Sequence, residues 1–259
     1  MDNNKDLEKI WEEFCTLITS HVKGDRATQL IEMYEDMGEK LLLAPASAHV
    51  HAHNAFPGGY VDHVMRVANF ALDLANTYHE LGLQVQDCTN DSVVFCAVNH
   101  DLGKLGFPES ENPRFVPSNN SWRRENLGEM YQPNKEQPYA SVPDLSLFTL
   151  QQYSIPMSWT EYLTIKIHDG LYSSSNREYY MAYQEHSKLR SNLPYIIHMA
   201  DLMASRYEFE QWQLSKDSNK SEKQTTKKPK YGKAGKAHKV AEVIDNSDQD
   251  LEIFNQLFG

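Results

Sequence analysis

Ser92-Val93-Val94-Phe95-Cys96-Ala97-Val98-Asn99-His100-Asp101-Leu102-Gly103-Lys104 is the stretch that decides how this chain folds. Its apolar run predicts a short helix over Ser92 to Asp101, and Gly103 breaks it. An imidazole and a carboxylate stand side by side where that helix ends. Adjacent residues cannot share one helix face, but at a frayed end both side chains can turn toward one ion. Neutral imidazole combined with carboxylate suits borderline divalent metals such as Mn, Fe, Co, Ni or Zn.

Working outward, apolar residues at helical spacing predict more helices on both sides. Upstream, Val64, Ala68, Ala71 and Leu72 form the inward stripe of a helix from about Tyr60 to Tyr78. It follows an ordered loop, Ala44 to Gly59, rich in His, Ala, Pro and Gly. Residues 1–43 read as two helices, the second from about Ala27 to Leu43. Downstream, residues 106–157 contain seven prolines among polar and aromatic residues and read as a long insertion with little regular structure, of the kind that forms lids. Helix resumes at Ser158, where Ser158 and Glu161 spell a capping box, and stops at Gly170. A last helix begins near Pro194 and turns Ile197, Ala200, Ala204 and Tyr207 to one side. No segment shows a convincing strand period, so the fold class expected is all-α. The core is expected over 44–214, with a Lys-rich flexible linker at 215–242 and a docking peptide at 243–259.

Bulk properties restrict the function. The only cysteines are Cys15, Cys88 and Cys96, with no CxxC pair, which excludes a disulfide framework, a zinc finger and a redox motif. Residues 1–9 are charged, and no apolar run is long enough to span a bilayer; a soluble cytoplasmic protein is expected, in the host cytoplasm if it is virus-encoded. The chain carries 25 basic and 36 acidic side chains, of which the tail from Lys216 holds nine lysines and seven acids. The body, 1–215, is therefore left with 16 basic and 29 acidic residues. Such a body repels extended polyanions, so a small anionic substrate or a strand end fits better than duplex nucleic acid.

Three predicted helices deliver metal candidates near one end: His63 opens the first, His100 and Asp101 close the second, and Asp201 lies on the last. Taken in order, Pro57-Gly58-Gly59-Tyr60-Val61-Asp62-His63-Val64-Met65-Arg66-Val67, then His100-Asp101-Leu102-Gly103-Lys104, then His198-Met199-Ala200-Asp201 resemble the HD superfamily of metal-dependent phosphohydrolases. The resemblance spans roughly 44–210. His53-Asn54-Ala55-Phe56-Pro57-Gly58-Gly59 is similar to the branch with a His-rich segment before a Gly-Gly pair, seen in HD domains of 3′-to-5′ exoribonucleases and some relaxases; Asn54 departs from that pattern. The resemblance implies an HD helical bundle with His63, His100, Asp101 and Asp201 as metal ligands. In that family a histidine after the HD pair often holds a second metal; His168 is a candidate for that place, and reads equally well as a structural helix-end histidine whose charge complements the helix dipole.

The expected chemistry is hydrolysis of a phosphate ester of a nucleotide or a single-strand end by water that the metal activates. Asp101 both ligates and orients that water. Lys104 and Arg66 are placed to meet substrate phosphate, and either can equally be a solvated or ion-paired charge. His53 is a candidate substrate or second-metal contact, His186 and His198 are weaker metal candidates, and Trp122, Arg123 and Arg124 in the insertion can cover a base and phosphates. At the C-terminal end, Ile253, Phe254, Leu257 and Phe258 follow Asp248, Asp250 and Glu252. Gln249 to Phe258 resembles peptides that bind replication sliding clamps, and reads equally well as a short helix folded back on the domain. Two other functions stay open: an HD-fold di-iron oxygenase, and an adaptor with a vestigial site that works through this peptide.

Overall fold

Residues Val93 to Asn99 are all buried, as a helix without a polar face requires. A computed structural model describes residues 3–51 and 54–225, with side chains for 8–51 and 54–215. Among the described residues ten α-helices and one small two-stranded sheet appear. Among the described residues, those up to Phe209 form one compact unit and those from Glu210 belong to a second.

Helix α1 (Asn3–His21) is followed by α2 (Asp25–Met37) and α3 (Glu39–Leu43). The stretch expected as one helix over 27–43 is thus two, parted at Gly38. Next come α4 (Gly59–Glu80) and α5 (Asn90–Asn99), which form the most extensive helix pair of the fold. Helix α1 packs on both. The core gathers Phe14, Ile18 and Tyr34 from the N-terminal helices, Val64 and Ala68 from α4, the whole of α5, and Ile197 and Ala200 from the last helix.

The C-terminal end of α5 is held from two directions. Tyr34 Oη lies 2.8 Å from Val98 O and 2.9 Å from Asn99 Oδ1, and Tyr60 Oη donates to Val98 O at 3.1 Å. Both rings are fully buried. Two phenols therefore converge on one carbonyl, Val98 O, that the helix end leaves open, and they fix the backbone that presents His100 and Asp101.

The insertion is more ordered than its prolines suggest. It holds β1 (Phe115–Pro117), α6 (Ser121–Leu127), β2 (Tyr131–Pro133) and α7 (Val142–Gln152). Strands β1 and β2 pair antiparallel with Phe115 opposite Pro133 and Pro117 opposite Tyr131. A two-stranded ribbon has only outer edges, so proline is tolerated in it. Helix α7 corrects the expectation of little regular structure. The Ser141 side chain caps it by accepting from Asp144 N, Pro143 occupies its first turn, and Leu145, Leu147 and Leu150 are buried. Proline suits that position because its missing N–H is unneeded there and its φ is preset.

Helices α8 (Trp159–Ile167), α9 (Arg177–Tyr180) and α10 (Leu193–Thr225) complete the described residues in order. The capping box at Ser158 and Glu161 is present in full. Helix α10 continues past Leu214 to Thr225, where the composition had predicted a flexible linker from residue 215. Residues 226–259, which include Ile253, Phe254, Leu257 and Phe258, lie outside the described residues, as does His53. No helix among the described residues is long and apolar enough to cross a membrane.

Candidate metal centre

The centre is built from helix ends. His100 caps the C-terminus of α5, and Asp101 follows it with φ −104° and ψ 10°, off the helical path. This change of direction lets two adjacent side chains reach one point. Leu102–Leu105 then forms a 3₁₀ turn against α7, where Gly103 N donates to Ser146 Oγ at 2.8 Å and Ser146 Oγ donates to His100 O at 3.1 Å. Gly103 is needed for that approach, since a Cβ there would lie 2.3 Å from Val142 O. His63 comes from the first turns of α4, His168 caps α8, and Asp201 lies on α10.

Three imidazoles and two carboxylates meet. His63 Nε2 lies 3.2 Å from Asp201 Oδ1 and 3.7 Å from Asp101 Oδ2. His100 Nε2 is 3.4 Å from Asp101 Oδ2 and 3.9 Å from Asp201 Oδ1, and His168 Nε2 is 3.6 Å from Asp101 Oδ1. His63, His100 and Asp101 form one set whose ligand atoms lie within 4.8 Å of each other; His100, His168 and Asp201 form another. Metal–nitrogen and metal–oxygen bonds of about 2.1 Å place neighbouring ligands roughly 3 to 3.5 Å apart, so the spacing fits a divalent ion.

The outer nitrogen of each ring explains why every Nε2 faces inward. His100 Nδ1 donates to Ala97 O at 2.7 Å, and His168 Nδ1 donates to Ile165 O at 2.9 Å. His63 Nδ1 is 3.1 and 3.2 Å from the two oxygens of Glu208. Fixing Nδ1–H on an outer acceptor selects the tautomer whose Nε2 lone pair is available to metal. His100 Nε2 is buried and makes no hydrogen bond, a costly arrangement that an ion resolves.

Protons would compete with a metal for this centre. Burial pulls the His63 and His168 imidazolium groups down, but neighbouring carboxylates outweigh it: Asp201 and Glu208 raise His63 to about 9, and Asp101 and Asp169 raise His168 to about 9. Burial pushes the Asp101 carboxyl up, and Lys104 and His100 carry it well below its ordinary range. Asp201 is lowered too, chiefly by His63 against the effect of burial. A site that stabilises imidazolium beside carboxylate is one that a divalent cation enters by displacing protons.

The centre floors a cleft of about 340 Å³. Lys104 and Arg114 stand on its walls with Tyr139, Ser141, Asp169 and Ser205. Lys104 Nζ is 2.5 Å from Asp101 Oδ2, so its charge faces the centre. Arg66 is placed elsewhere: it grips Asp62 through both guanidinium ends at 2.8 and 3.0 Å, and meets Glu208 at 2.5 Å. Asp62 in turn accepts from Asn54 Nδ2 at 2.6 Å. The expected phosphate contact is thus an ion-paired positioning group behind His63. Arg123 pairs with Glu129, and Trp122 is exposed on α6.

His198 is likewise structural. Its Nδ1 donates to His168 O at 2.8 Å, and its ring occupies the space over Gly170, where a Cβ would lie 2.3 Å away. His186 is exposed. Sequence reading missed Glu208 and Arg114. Glu208 had a usable signal: it follows Asp201 by seven residues, two helical turns, and so shares its face. Arg114 had none, because its place depends on how the insertion folds. No family model, curated protein or solved structure matches the chain.

Proposed function

We propose that this chain is a metal-dependent phosphohydrolase of the HD type, acting on a phosphate ester of a nucleotide or nucleic-acid end. One observation carries the reading: three buried histidines with outward-fixed Nδ1–H groups converge with Asp101 and Asp201 beneath a cleft walled by Lys104 and Arg114. His63, His100, Asp101 and Asp201 would hold the ion. When bound, it supplies Lewis acidity toward water and toward a phosphoryl oxygen, so no protein nucleophile is needed.

The chain's own groups do the rest. Asp101 directs Oδ2 toward His63, His100 and Lys104 and Oδ1 toward His168, which lets one carboxylate hold the ion and orient water. Lys104 holds Asp101 ionised and adds positive charge where negative charge grows on the substrate. Buried walls around His63 and His100 exclude bulk water, which strengthens each of these interactions.

The His168 set, which shares His100 with its neighbours, also favours a second reading: a two-ion centre of the di-iron oxygenase kind. The test is metal analysis of the purified full-length protein, followed by a screen of the Mn-loaded protein against nucleoside mono- and triphosphates, cyclic dinucleotides and single-stranded oligonucleotides. Turnover of one phosphate class, lost in Asp101→Asn, supports hydrolysis. Two irons per chain with oxygen consumption, and every phosphate ester intact, overturns it.

A further inference from the structure

The chain treats its half-buried guanidinium groups in two ways. Arg26 is paired with Asp91 and, at 2.9 Å, with Glu161; Arg66 is paired with Asp62 and Glu208. In both, burial acts against the charge but the carboxylates more than offset it. Arg114 is similarly half-buried, yet it forms no ion pair among the described residues. Its Nη1 donates to Gly103 O at 3.2 Å and its Nη2 to Ala140 O at 2.8 Å. Burial prevails over the opposing pull of Tyr139 and Asp101 and lowers its pKa, although a guanidinium stays charged throughout the ordinary pH range.

This guanidinium lies on the wall of the cleft, next to the turn that carries Asp101 and Lys104. Its backbone is clamped: Asn134 N donates to Arg114 O at 2.8 Å, and Asn134 Nδ2 donates to Pro113 O at 3.0 Å. Two carbonyls orient the planar fork without neutralising it. A half-buried cation whose acting carboxylate, Asp101, stands beyond ion-pair distance is only partly compensated, and one held rigidly against a cleft is suited to take a closer counter-ion from a ligand.

We infer that Arg114 is the receptor for a second phosphoryl group of the substrate, beside the one that reacts over His63, His100, Asp101 and Asp201. This rests on the phosphohydrolase reading and narrows it: the substrate class is a phosphoanhydride or phosphodiester bearing two phosphoryl groups, rather than a simple monoester. Lys104, held on Asp101, serves the reacting group; Arg114, held on neutral carbonyls, serves its neighbour.

The test uses full-length protein loaded with Mn²⁺ and freed of excess metal, titrated calorimetrically with methylphosphonate and with methylenediphosphonate, two probes that are not hydrolysed. The readout is the ratio of their affinities. Diphosphonate is expected to bind about tenfold tighter or more, from one added charge-assisted fork. That ratio should collapse toward one in Arg114→Met and survive in part in Arg114→Lys, with thermal melts confirming that both variants fold. Competition by a nucleoside diphosphate or by a 5′-phosphorylated dinucleotide then tells an anhydride from a diester.

A wild-type ratio near one, or an unchanged ratio in Arg114→Met, overturns the inference even if the enzyme hydrolyses phosphate esters. A ratio that depends on Arg114 in a protein that hydrolyses no ester sustains the anion site and overturns the hydrolase instead.

Discussion

Removing the Glu208 side chain is the sharpest probe of how the metal centre is built. The carboxylate is buried, accepts from His63 Nδ1 at 3.1 Å and pairs with Arg66 at 2.5 Å. In Glu208→Ala the His63 ring loses the acceptor that fixes its tautomer, while Arg66 keeps its two contacts with Asp62. Losing the outer partner of a ligating histidine weakens metal binding by about 10- to 100-fold, or roughly 1.4 to 2.7 kcal/mol. Breaking a fully buried pair costs about 3 to 5 kcal/mol; here Arg66 remains paired and partly exposed, so a folding loss of about 2 to 3 kcal/mol is expected. Glu208→Gln keeps an oxygen for Nδ1–H and should recover most of the metal affinity. The assay is calorimetric titration of chelator-treated protein with Mn²⁺, alongside urea denaturation. If Glu208→Ala binds Mn²⁺ within about twofold of wild type while folded, Glu208 does not orient His63 and the reasoning fails.

Other outcomes follow from the same geometry. Mn²⁺ should raise the Tm of the wild type, and Asp101→Asn and His100→Ala should each abolish that rise, since ligand removal eliminates linked stabilisation; a preserved rise would move the ion elsewhere. In chelator-treated protein, His63 and His168 are raised from 6.5 to about 9, so their contribution is complete below pH 6.5 and lost as pH climbs through 9. Asp101 and Asp201 are depressed below 3.8, so theirs is present above that value and lost as pH falls. Thermal melts should therefore peak between these limits without metal, with the alkaline decline relieved by Mn²⁺; a flat metal-free profile from pH 6.5 to 9 would contradict this. Gly103→Ala places a Cβ 2.3 Å from Val142 O and should cost about 1 to 3 kcal/mol by denaturant melts, with a parallel fall in metal affinity as α7 shifts. An unchanged melt would show that the turn and α7 need not pack so closely.

What could be read in the sequence is what local chemistry determines. The burial of α5 follows from its lack of any polar face, and the capping box at Ser158 and Glu161 names the start of α8 outright. His63, His100, Asp101, His168 and Asp201 all sit on predicted helices, so their convergence needed only that those helices share one core. Where the reading went astray, the deciding partner was distant in sequence or the signal was ambiguous. Pro143 suggests a break, yet at the first turn it begins α7. The Lys-, Ser- and Glu-containing stretch after Leu214 reads as tether because it lacks an apolar face, yet its residues are compatible with helix, and α10 runs through to Thr225. Strands β1 and β2 are three residues each and exist only through pairing with each other.

The residues that complete the centre share this dependence on distant partners. Tyr34 and Tyr60 secure the end of α5 from 64 and 38 positions away, and Glu208 orients His63 across 145. Arg66, Asp62 and Asn54 extend that line outward to the loop before α4. The candidate metal ligands are thus the visible part of a larger polar assembly, in which each imidazole is aimed by a group behind it. Arg114 differs in kind: it is oriented by Gly103 O and Ala140 O but neutralised by neither. The chain supplies ion-paired carboxylates to Arg26 and Arg66, whereas the hydrogen bonds of Arg114, at the cleft, go to carbonyl oxygens, with Asp101 acting on it only from beyond ion-pair distance. On the proposed reading, specificity for the ligand would rest on the insertion, while the ion would rest on the helices.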